Sequence, residues 1–231
     1  MYGMNGENKY AIFREIIASV IHDLKNPLSA ITLGLEFIEM NSGGKIPPQA
    51  VKGAISSAAR IDQLLDALSM YFHDEDTPPT AVPFAHLLTK ARLLVGYYFS
   101  RNQIKFMIEE GGSGQSVLVN MNQAYQGMVL LLVGLAKRCT SGTTVRATLR
   151  GNGAWQSVEF ALTMPESAET AGERAAVSAD IDFSVICFDT ARSMFQSTGI
   201  EMSLPDTWTL PARVTLRKTI DSGKTLQMEG R

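Results

Sequence analysis

Hydrophobic residues recur at alternating intervals of three and four along the N-terminal third of the chain. The first stripe consists of Ile17, Ile21, Leu24, Leu28, Ile31, Leu35 and Ile38. The second consists of Val51, Ala54, Ala58, Ile61, Leu65, Leu68 and Phe72. This spacing is typical of the a and d positions of helices that pack against other helices. The stripes predict one helix from about residue 8 to Met40 and a second helix that Pro47 and Pro48 begin.

A short loop joins the two predicted helices, because residues 41–44 read Asn-Ser-Gly-Gly and would end the first helix. Two helices joined in this way form an antiparallel hairpin. A hairpin buries only one face of each helix, and a second copy of the chain would cover the other face. We therefore expect a homodimeric four-helix bundle, in which the small residues Ala54, Ala58 and Ala59 allow close packing.

The rest of the chain alternates between helical and strand-like patterns. We predict helices over residues 84–100, 122–138 and 184–197, and strands over residues 103–108, 117–119, 144–150, 155–163, 201–204 and 212–219. Residues 111–114 are predicted as a turn, residues 165–180 as a mobile loop and the tail from Asp221 as frayed.

These elements predict the fold class α + α/β: a two-helix hairpin followed by an α+β sandwich, with helices on one face of a mixed sheet. The stretch of residues 73–80 is polar and contains prolines, which is typical of a linker. We therefore predict a dimerisation domain over residues 1–76 and a second domain over residues 77–231.

Composition narrows the class of protein. An apolar fraction of 45% and a charged fraction of 19% are those of an ordinary globular chain. The formal net charge is -2, and lysine and arginine form no cluster, which argues against a nucleic-acid partner. The apolar run at residues 128–133 is too short to span a membrane, and the N-terminus lacks a signal-peptide pattern. We expect a cytoplasmic protein without a membrane segment or sensor domain, in which Cys139 and Cys187 are buried free thiols.

The candidate chemistry lies in the first helix, in the run Ile21-His22-Asp23-Leu24-Lys25-Asn26-Pro27-Leu28. A neutral imidazole is a competent nucleophile toward phosphorus. His22 directly follows a stripe residue, so it lies on the flank of the helix and not in the seam. Asp23 is close enough to accept a hydrogen bond from one ring nitrogen, which would leave the lone pair of the other nitrogen facing outward. His73 and His86 lie outside this run and are predicted to be surface residues.

Two polar residues and a proline complete the candidate site. Asn26 lies one turn after His22, where its amide could position a phosphoryl oxygen or a water molecule. Lys25 adds a hydrogen-bond donor and a positive charge near an incoming phosphate. Pro27 cannot donate a hydrogen bond to the carbonyl of Asp23, so we expect a bend in the helix just after the histidine.

The run from His22 to Leu28 resembles the H-box of two-component sensor histidine kinases, in which a phospho-accepting histidine precedes an acid, a basic residue, Asn or Thr, and proline. Its continuation, Ser29-Ala30-Ile31-Thr32-Leu33-Gly34-Leu35-Glu36, is similar to ChpT-type histidine phosphotransferases, which share the kinase architecture. The resemblance implies a homodimeric four-helix bundle followed by an α/β domain like the ATP-binding domain of these kinases.

This chain departs from the motifs with which that domain binds ATP in the kinases. The Asn-rich box corresponds to residues 130–137, which read Leu-Leu-Leu-Val-Gly-Leu-Ala-Lys and contain no asparagine or acid. The Asp-x-Gly-x-Gly motif is replaced at residues 162–167, and the later glycine box at residues 184–189. A nucleoside triphosphate needs close backbone approach and an oxygen ligand for its metal. We therefore expect a degenerate ATPase-like domain that binds no ATP.

These observations predict a histidine phosphotransferase of a bacterial two-component phosphorelay, an enzyme that is not an ATP-dependent kinase. His22 would carry the phosphoryl group between receiver-domain aspartates, Asp23 would orient and deprotonate the imidazole, and Lys25 and Asn26 would contact the phosphoryl oxygens. The expected partners are response-regulator receiver domains, with a hybrid histidine kinase as a candidate donor. No cofactor is expected in this chain, because the receiver supplies Mg2+. Receivers are expected to dock on the exposed flank of the first helix around His22.

Three alternatives remain open from the sequence. The first is a phosphatase, in which Asn26 aims a water molecule at the phospho-aspartate of a receiver. The second is a pseudokinase adaptor that binds receivers or a kinase without chemistry. The third is an active histidine kinase with an unrecognised nucleotide site. The sequence also leaves open which regulators are the partners and in which direction the phosphoryl group moves.

Overall fold

The computed structural model of the chain describes residues 6–40, 48–73, 77–110, 116–152, 154–163, 181–206, 208 and 212–220. Several sequence predictions concern other residues. The loop at residues 41–44 with Pro47, the turn at 111–114, the loop at 165–180 and the tail from Asp221 all lie outside the described residues. The run around His22 and all the predicted helices and strands are described.

Two long helices form the N-terminal hairpin, as the two stripes predicted. Helix α1 spans Gly6–Met40 and helix α2 spans Pro48–Phe72. The helices approach closely near the loop, because a Cβ at Gly34 would lie 3.5 Å from the carbonyl oxygen of Ala50. α1 remains helical through Pro27. The predicted bend after His22 stays a prediction.

Strands and helices alternate in the remaining described chain. In chain order they are β1 (Thr80–Pro83), α3 (Phe84–Arg101), β2 (Lys105–Glu110), β3 (Ser116–Val119), α4 (Met121–Arg138), β4 (Thr144–Asn152), β5 (Trp155–Thr163), α5 (Ile181–Ser197), β6 (Glu201–Ser203) and β7 (Ala212–Thr219). Asn120 caps α4, since its side-chain oxygen accepts a hydrogen bond of 3.1 Å from the backbone N–H of Gln123. Gly199, just after α5, has a φ of +70°, the left-handed conformation that glycine adopts where helices end.

Among the described residues, five strands form a mixed sheet in the order β2-β4-β5-β7-β6, with β2 and β4 parallel and the other neighbours antiparallel. β1 and β3 form a separate antiparallel pair, with Val82 opposite Val117. The sequence analysis was wrong about β1, because it assigned residues up to 80 to a linker and no element to the next three. The strand is short, begins in a proline-containing stretch and ends in Pro83, so periodicity gave no signal there.

The elements from β1 to β7 form the α/β unit. α4 lies at its centre, where it packs against both α3 and α5. Its side chains from Ala124 to Ala136 are all buried. At Gly127 and Gly134 a Cβ would come within 2.9 Å of the Phe195 ring and 2.7 Å of the Phe188 ring, so glycine lets α5 approach this closely. Among the described helices, α4 included, none is long and apolar enough to cross a membrane. The predicted fold class is confirmed: a helical hairpin precedes an α+β sandwich.

The stripe residues of the hairpin alternate in exposure along both helices. One heptad register is half-buried within the chain: Ile17, Leu24, Ile31 and Ile38 in α1, and Ala54, Ile61 and Leu68 in α2. The other register is exposed: Ile21, Leu28 and Leu35 in α1, at 49, 57 and 56% exposure, and Val51, Ala58, Leu65 and Phe72 in α2. A single chain therefore covers one half of each stripe and leaves the other half open.

A second apolar face of α1 is the most deeply buried part of the helix. Ile12, Ile16 and Val20 on this face belong to the same core as α3 and α4. The polar residue Ser19 is buried beside them. The stripe analysis did not predict this face. α1 is therefore covered on two sides within one chain, by α2 and by α3, and the hairpin and the α/β unit share one continuous core.

Candidate functional site

His22 lies on α1 between the face that packs on α3 and the exposed register of Ile21, Leu28 and Leu35, which we call the open register. Its side chain is 48% exposed, and Ile21 before it is exposed as well. Because successive helical residues are about 100° apart, the histidine is displaced from the stripe to the flank of the hairpin. The imidazole is therefore accessible to a partner that approaches α1 from the side.

Asp23 is the acidic neighbour that the sequence pointed to. Its Oδ1 atom lies 3.5 Å from Nδ1 of His22, and its side chain is only 18% exposed. This separation is long for a hydrogen bond, but contacts at reactive groups are often loose without a partner and tighten when it binds. The geometry directs Nδ1 toward the carboxylate, so Nε2 lies on the opposite edge of the ring.

Lys25 and Asn26 are both exposed on α1. Asn26 follows His22 by four residues, one helical turn, so its amide and the imidazole lie on neighbouring parts of one helix surface. Lys25 lies about 60° round the helix from His22 on the other side. Pro27, in contrast, is buried. The predicted site residues thus share one helix surface, and three of the four, His22, Lys25 and Asn26, are open to solvent.

Helix α3 contributes an aromatic residue to this site that the sequence analysis missed. The ring of Tyr97 lies against the imidazole of His22, with centroids 4.0 Å apart and planes tilted by 31°. The preceding residue is Gly96, where a Cβ would lie 3.7 Å from Oδ2 of Asp23. The α/β unit therefore covers one side of both His22 and Asp23. The sequence signal for this contact was the aromatic run after Gly96 at the end of α3.

Polar contacts fix α3 against α1 on either side of this pair. The Ser19 hydroxyl donates a hydrogen bond of 2.9 Å to the carbonyl oxygen of Leu94, and both residues are fully buried. The Tyr98 hydroxyl donates a hydrogen bond of 2.8 Å to Oε2 of Glu15, and Nζ of Lys137 lies 3.2 Å from the same oxygen. Burial alone would raise the pKa of the Glu15 carboxyl. The tyrosine hydroxyl and the lysine ammonium outweigh burial, so this pKa lies below its ordinary value.

The Glu15 contacts predict a dependence of stability on pH. A carboxyl whose pKa is lower in the folded chain stabilises the fold above its unfolded value, 4.5, and this contribution is lost as the pH falls through the folded pKa. Between about pH 5 and pH 3, we expect the Tm of the wild type to fall more steeply than that of Glu15→Gln. Thermal unfolding followed by circular dichroism measures both slopes. Glu36→Gln, at an exposed position of the same helix, should keep the wild-type slope. Equal slopes for wild type and Glu15→Gln would contradict the prediction.

A second set of buried hydrogen bonds fixes α2 to the α/β unit. The Tyr125 hydroxyl donates a hydrogen bond of 3.0 Å to the carbonyl oxygen of Ala67, and Nε2 of Gln126 donates one of 2.8 Å to that of Tyr71. Burial raises the pKa of the Tyr125 hydroxyl, which therefore stays a donor throughout the physiological range. Both helices of the hairpin are thus held by the same unit.

In the described chain, the residues that correspond to the Asn-rich box of the kinases lie in the core. Residues 130–136 are buried and apolar, and Lys137 is paired with Glu15. Residues 164–167 lie outside the described part. Ser184, the first residue of the stretch that corresponds to the later glycine box, is buried on α5. In the ranges that the structure describes, no group of three or more His, Cys, Asp or Glu residues could hold a metal ion.

The remaining nucleophilic and titratable candidates have no place in the site. Cys139 and Cys187 are buried thiols outside any disulfide, as predicted, and burial raises the pKa of the Cys139 thiol to about 12, which disfavours the reactive thiolate. His73 and His86 are exposed, as predicted. Burial, together with the neighbouring Lys90, lowers the pKa of His86. In the described residues, His22 has the side chain of Asp23 beside its exposed imidazole.

Residues 14–75 match the family model of the His Kinase A (phospho-acceptor) domain. The hairpin carries a phospho-acceptor domain. The match covers most of α1 and all of α2, and it includes His22, Asp23, Lys25 and Asn26. This phospho-acceptor domain is of the histidine kinase type. No curated protein matches the chain in sequence.

Solved structures of histidine kinases and of a phosphotransferase are similar to this chain over most of its length. The histidine kinase AdeS of Acinetobacter baumannii has a TM-score of 0.48 at 8% identity, over 87% of this chain and 98% of that one. A bacterial phosphotransferase has a TM-score of 0.42 at 16% identity, over 93% and 97%. The histidine kinase ThkA, solved in complex with the response regulator TrrA, has a TM-score of 0.45 at 14% identity, over 92% and 63%.

Proposed function

We propose that this chain is a ChpT-type histidine phosphotransferase, which passes a phosphoryl group between receiver-domain aspartates through His22 and uses no ATP. The observation that carries the proposal is the exposed imidazole of His22 beside the Asp23 carboxylate, on the phospho-acceptor domain. Residues 1–76 would form the phosphotransfer and dimerisation domain, and residues 77–231 a degenerate ATPase-like domain.

In the proposed uptake step, the lone pair on Nε2 of His22 attacks the phosphorus of a receiver's phospho-aspartate. The N–P bond forms as the bond from phosphorus to the aspartate oxygen breaks, and the electron pair leaves with the aspartate carboxylate. The imidazole gains positive charge, which the carboxylate of Asp23 stabilises from the Nδ1 side. Attack by the carboxylate of a second receiver reverses these events and restores the neutral imidazole.

Lys25 and Asn26 contact the phosphoryl oxygens during transfer. Both side chains are exposed on the helix surface beside His22, so they can reach a phosphate that enters from a partner. The lysine ammonium neutralises charge on the phosphoryl group, and the asparagine amide donates a hydrogen bond to it. Mg2+ comes from the acidic pocket of the receiver, and this chain holds no cofactor. The transfer would therefore assemble its ions and side chains from two proteins.

Two observations support the absence of an ATP-dependent step. The face of α4 that corresponds to the Asn-rich box is a buried wall of Leu, Val, Gly and Ala. In addition, a kinase must bring the γ-phosphate of its own ATP to the histidine. Here the α/β unit is held against α1 and α2 by buried hydrogen bonds and presents Tyr97 to His22. Movement of the unit would break these contacts.

The proposed enzyme is a homodimer whose partners are response-regulator receiver domains, with a hybrid histidine kinase as donor. The exposed register of each hairpin helix supports the dimer, because it repeats at heptad spacing along both helices. Receivers would dock on the flank of α1, where Ile21, Ser29 and Ala30 are exposed around the site. A second copy and a receiver would thus use neighbouring surfaces of α1.

A second candidate function is hydrolysis of the receiver's phospho-aspartate. The exposed amide of Asn26, one turn from His22, favours this candidate because it could orient a water molecule toward a docked receiver. The two functions share the same docking surface. They differ in whether the phosphoryl group passes to the imidazole or to water.

A phosphoryl-transfer experiment tests the proposal. A generic receiver domain carrying labelled phosphate on its aspartate is mixed with the full chain, and a parallel sample contains labelled ATP with Mg2+ and no receiver. We expect label on the chain only in the first sample, in a linkage that is stable to alkali, as in a phosphohistidine.

The other outcomes separate the alternatives. Label from ATP would show an active kinase. Faster loss of label from the receiver, without label on the chain, would indicate the phosphatase that Asn26 supports. Unchanged receiver label in an assay that also includes several different receivers would favour a binding-only adaptor.

A further inference from the structure

The contact between Tyr97 and His22 joins the α/β unit to the candidate nucleophile. The ring centroids lie 4.0 Å apart, and the tilt of 31° leaves much of one imidazole face covered by the tyrosine ring. The nitrogen Nδ1 lies toward Asp23, on the edge of the imidazole. One face and one edge of the ring are therefore occupied by this chain, while the side chain keeps 48% exposure.

The position of Tyr97 is fixed by residues around it on α3. Three residues earlier, the Leu94 carbonyl oxygen accepts the hydrogen bond from the buried Ser19 hydroxyl of α1. The next residue, Tyr98, is held by its hydrogen bond to Glu15 of α1. Contacts on both sides of Tyr97 thus tie the same stretch of α3 to α1, which makes the ring part of a rigid surface.

A histidine on a helix surface can vary in ring orientation and in tautomer, and both kinds of variation slow its reaction. Its ring can turn about χ2, which exchanges the positions of nitrogen and carbon atoms, and its proton can lie on either nitrogen. An aromatic ring against one face and a carboxylate beside Nδ1 restrict the first and bias the second. Only one ring orientation keeps both contacts.

We propose that Tyr97 is a positioning residue, which holds the His22 imidazole with Nδ1 toward Asp23 and Nε2 toward the incoming phosphoryl group. This inference rests on the proposed phosphotransferase function. It gives the degenerate ATPase-like domain a role in the chemistry, because that domain supplies the ring that orients the nucleophile of the other domain. Tyr97 touches neither the phosphoryl group nor the receiver's aspartate in this arrangement.

The test combines kinetics with nuclear magnetic resonance of the His22 ring in the full chain. Tyr97→Leu removes the aromatic ring, and Tyr97→Phe keeps it. For Tyr97→Leu we expect kcat for uptake from a charged receiver to fall by about 2- to 10-fold with KM unchanged, the range that an aromatic contact supplies. Tyr97→Phe should retain the wild-type values, and Tyr10→Leu, at an exposed tyrosine near the start of α1, should have no effect.

The spectra report on the ring without any phosphoryl transfer. In wild type we expect the imidazole protons to be shifted upfield by the tyrosine ring current, and the ring to populate the tautomer protonated on Nδ1. Tyr97→Leu should abolish the upfield shift and mix the tautomers. Asp23→Asn should mix the tautomers but keep the upfield shift, which provides a second variant if Tyr97→Leu does not fold.

Two results with the Tyr97 variants would overturn the inference. One is a Tyr97→Leu protein that folds and keeps the wild-type kcat and spectrum. The other is a Tyr97→Phe protein that loses activity and ring orientation as Tyr97→Leu does, since the aromatic ring would then not be what positions His22. If no variant, including wild type, takes up label, the proposed function fails. The spectra then decide the positioning role alone, and an unshifted wild-type imidazole would reject it.

Discussion

Replacing His22 by alanine should reduce the uptake of label from a charged receiver to background, a loss of at least about 10³-fold. The imidazole is the atom group that forms the N–P bond, and alanine offers no nucleophile in its place. The neighbours Lys25 and Asn26 carry an ammonium and an amide, neither of which can substitute at a comparable rate. His22→Gln should give the same loss, because it keeps a polar side chain without the imidazole.

The matched control for His22 is His86, which is also exposed but lies on α3. His86→Ala should take up label at the wild-type rate, and both variants should retain the wild-type Tm within a degree or two, as surface changes generally do. The proposal fails if His22→Ala still becomes labelled in an alkali-stable linkage, since the phosphoryl group would then reside elsewhere.

Placing a charge in the open register of α1 should convert a dimer into a monomer. Leu28 and Leu35 lie two turns apart in the register that a single chain leaves exposed. In the proposed bundle each would be buried against the second copy, where an unpaired carboxylate is costly. A dimer would lose four such leucines, each about half exposed in the lone chain, and together these amount to about 3–6 kcal/mol, or roughly 10²- to 10⁴-fold in the dissociation constant.

Sedimentation equilibrium of wild type and the double variant Leu28→Glu/Leu35→Glu measures this effect. We expect a dimer for the wild type and a monomer for the variant at micromolar concentration. Leu118→Glu is the control, because Leu118 is similarly exposed but lies on β3. A wild type that is monomeric, or a double variant that is as dimeric as the wild type, would contradict the four-helix bundle. Helical content by circular dichroism shows whether the variant has simply unfolded.

Local patterns in the sequence predicted most of the fold. The bounds of β5 and β7 and the end of α1 at Met40 agree with the structure, because long periodic runs end there at clear turn or loop residues. β1 was missed because its four residues, Thr80–Pro83, are stabilised by pairing with β3 and not by a pattern of their own. Short elements of this kind depend on their partners.

The candidate site was predictable only where its residues are neighbours in sequence. His22, Asp23, Lys25 and Asn26 fall within two turns of one helix, so helical geometry alone brings them together. Tyr97 could not be predicted in this way, because it comes from a helix 75 positions away in sequence. The fixed contact between Ser19 and Leu94 spans the same separation. Periodicity identifies an apolar face but does not say which distant helix covers it.

The buried residues of the hairpin lie at one end, which gives α1 a gradient of local stability. Every described residue of α1 that is buried falls between Ile12 and Pro27, and those of α2 are Leu64, Ala67 and Tyr71. The end of the hairpin nearer the loop extends beyond these buried residues. In a lone chain, the amide hydrogens of this end would exchange first with solvent. The turns of α1 that carry His22 lie in the buried stretch and would exchange later. A partner that binds at His22 would therefore contact the more stable part of α1. In the proposed dimer, the second copy would stabilise the end of α1 nearer the loop.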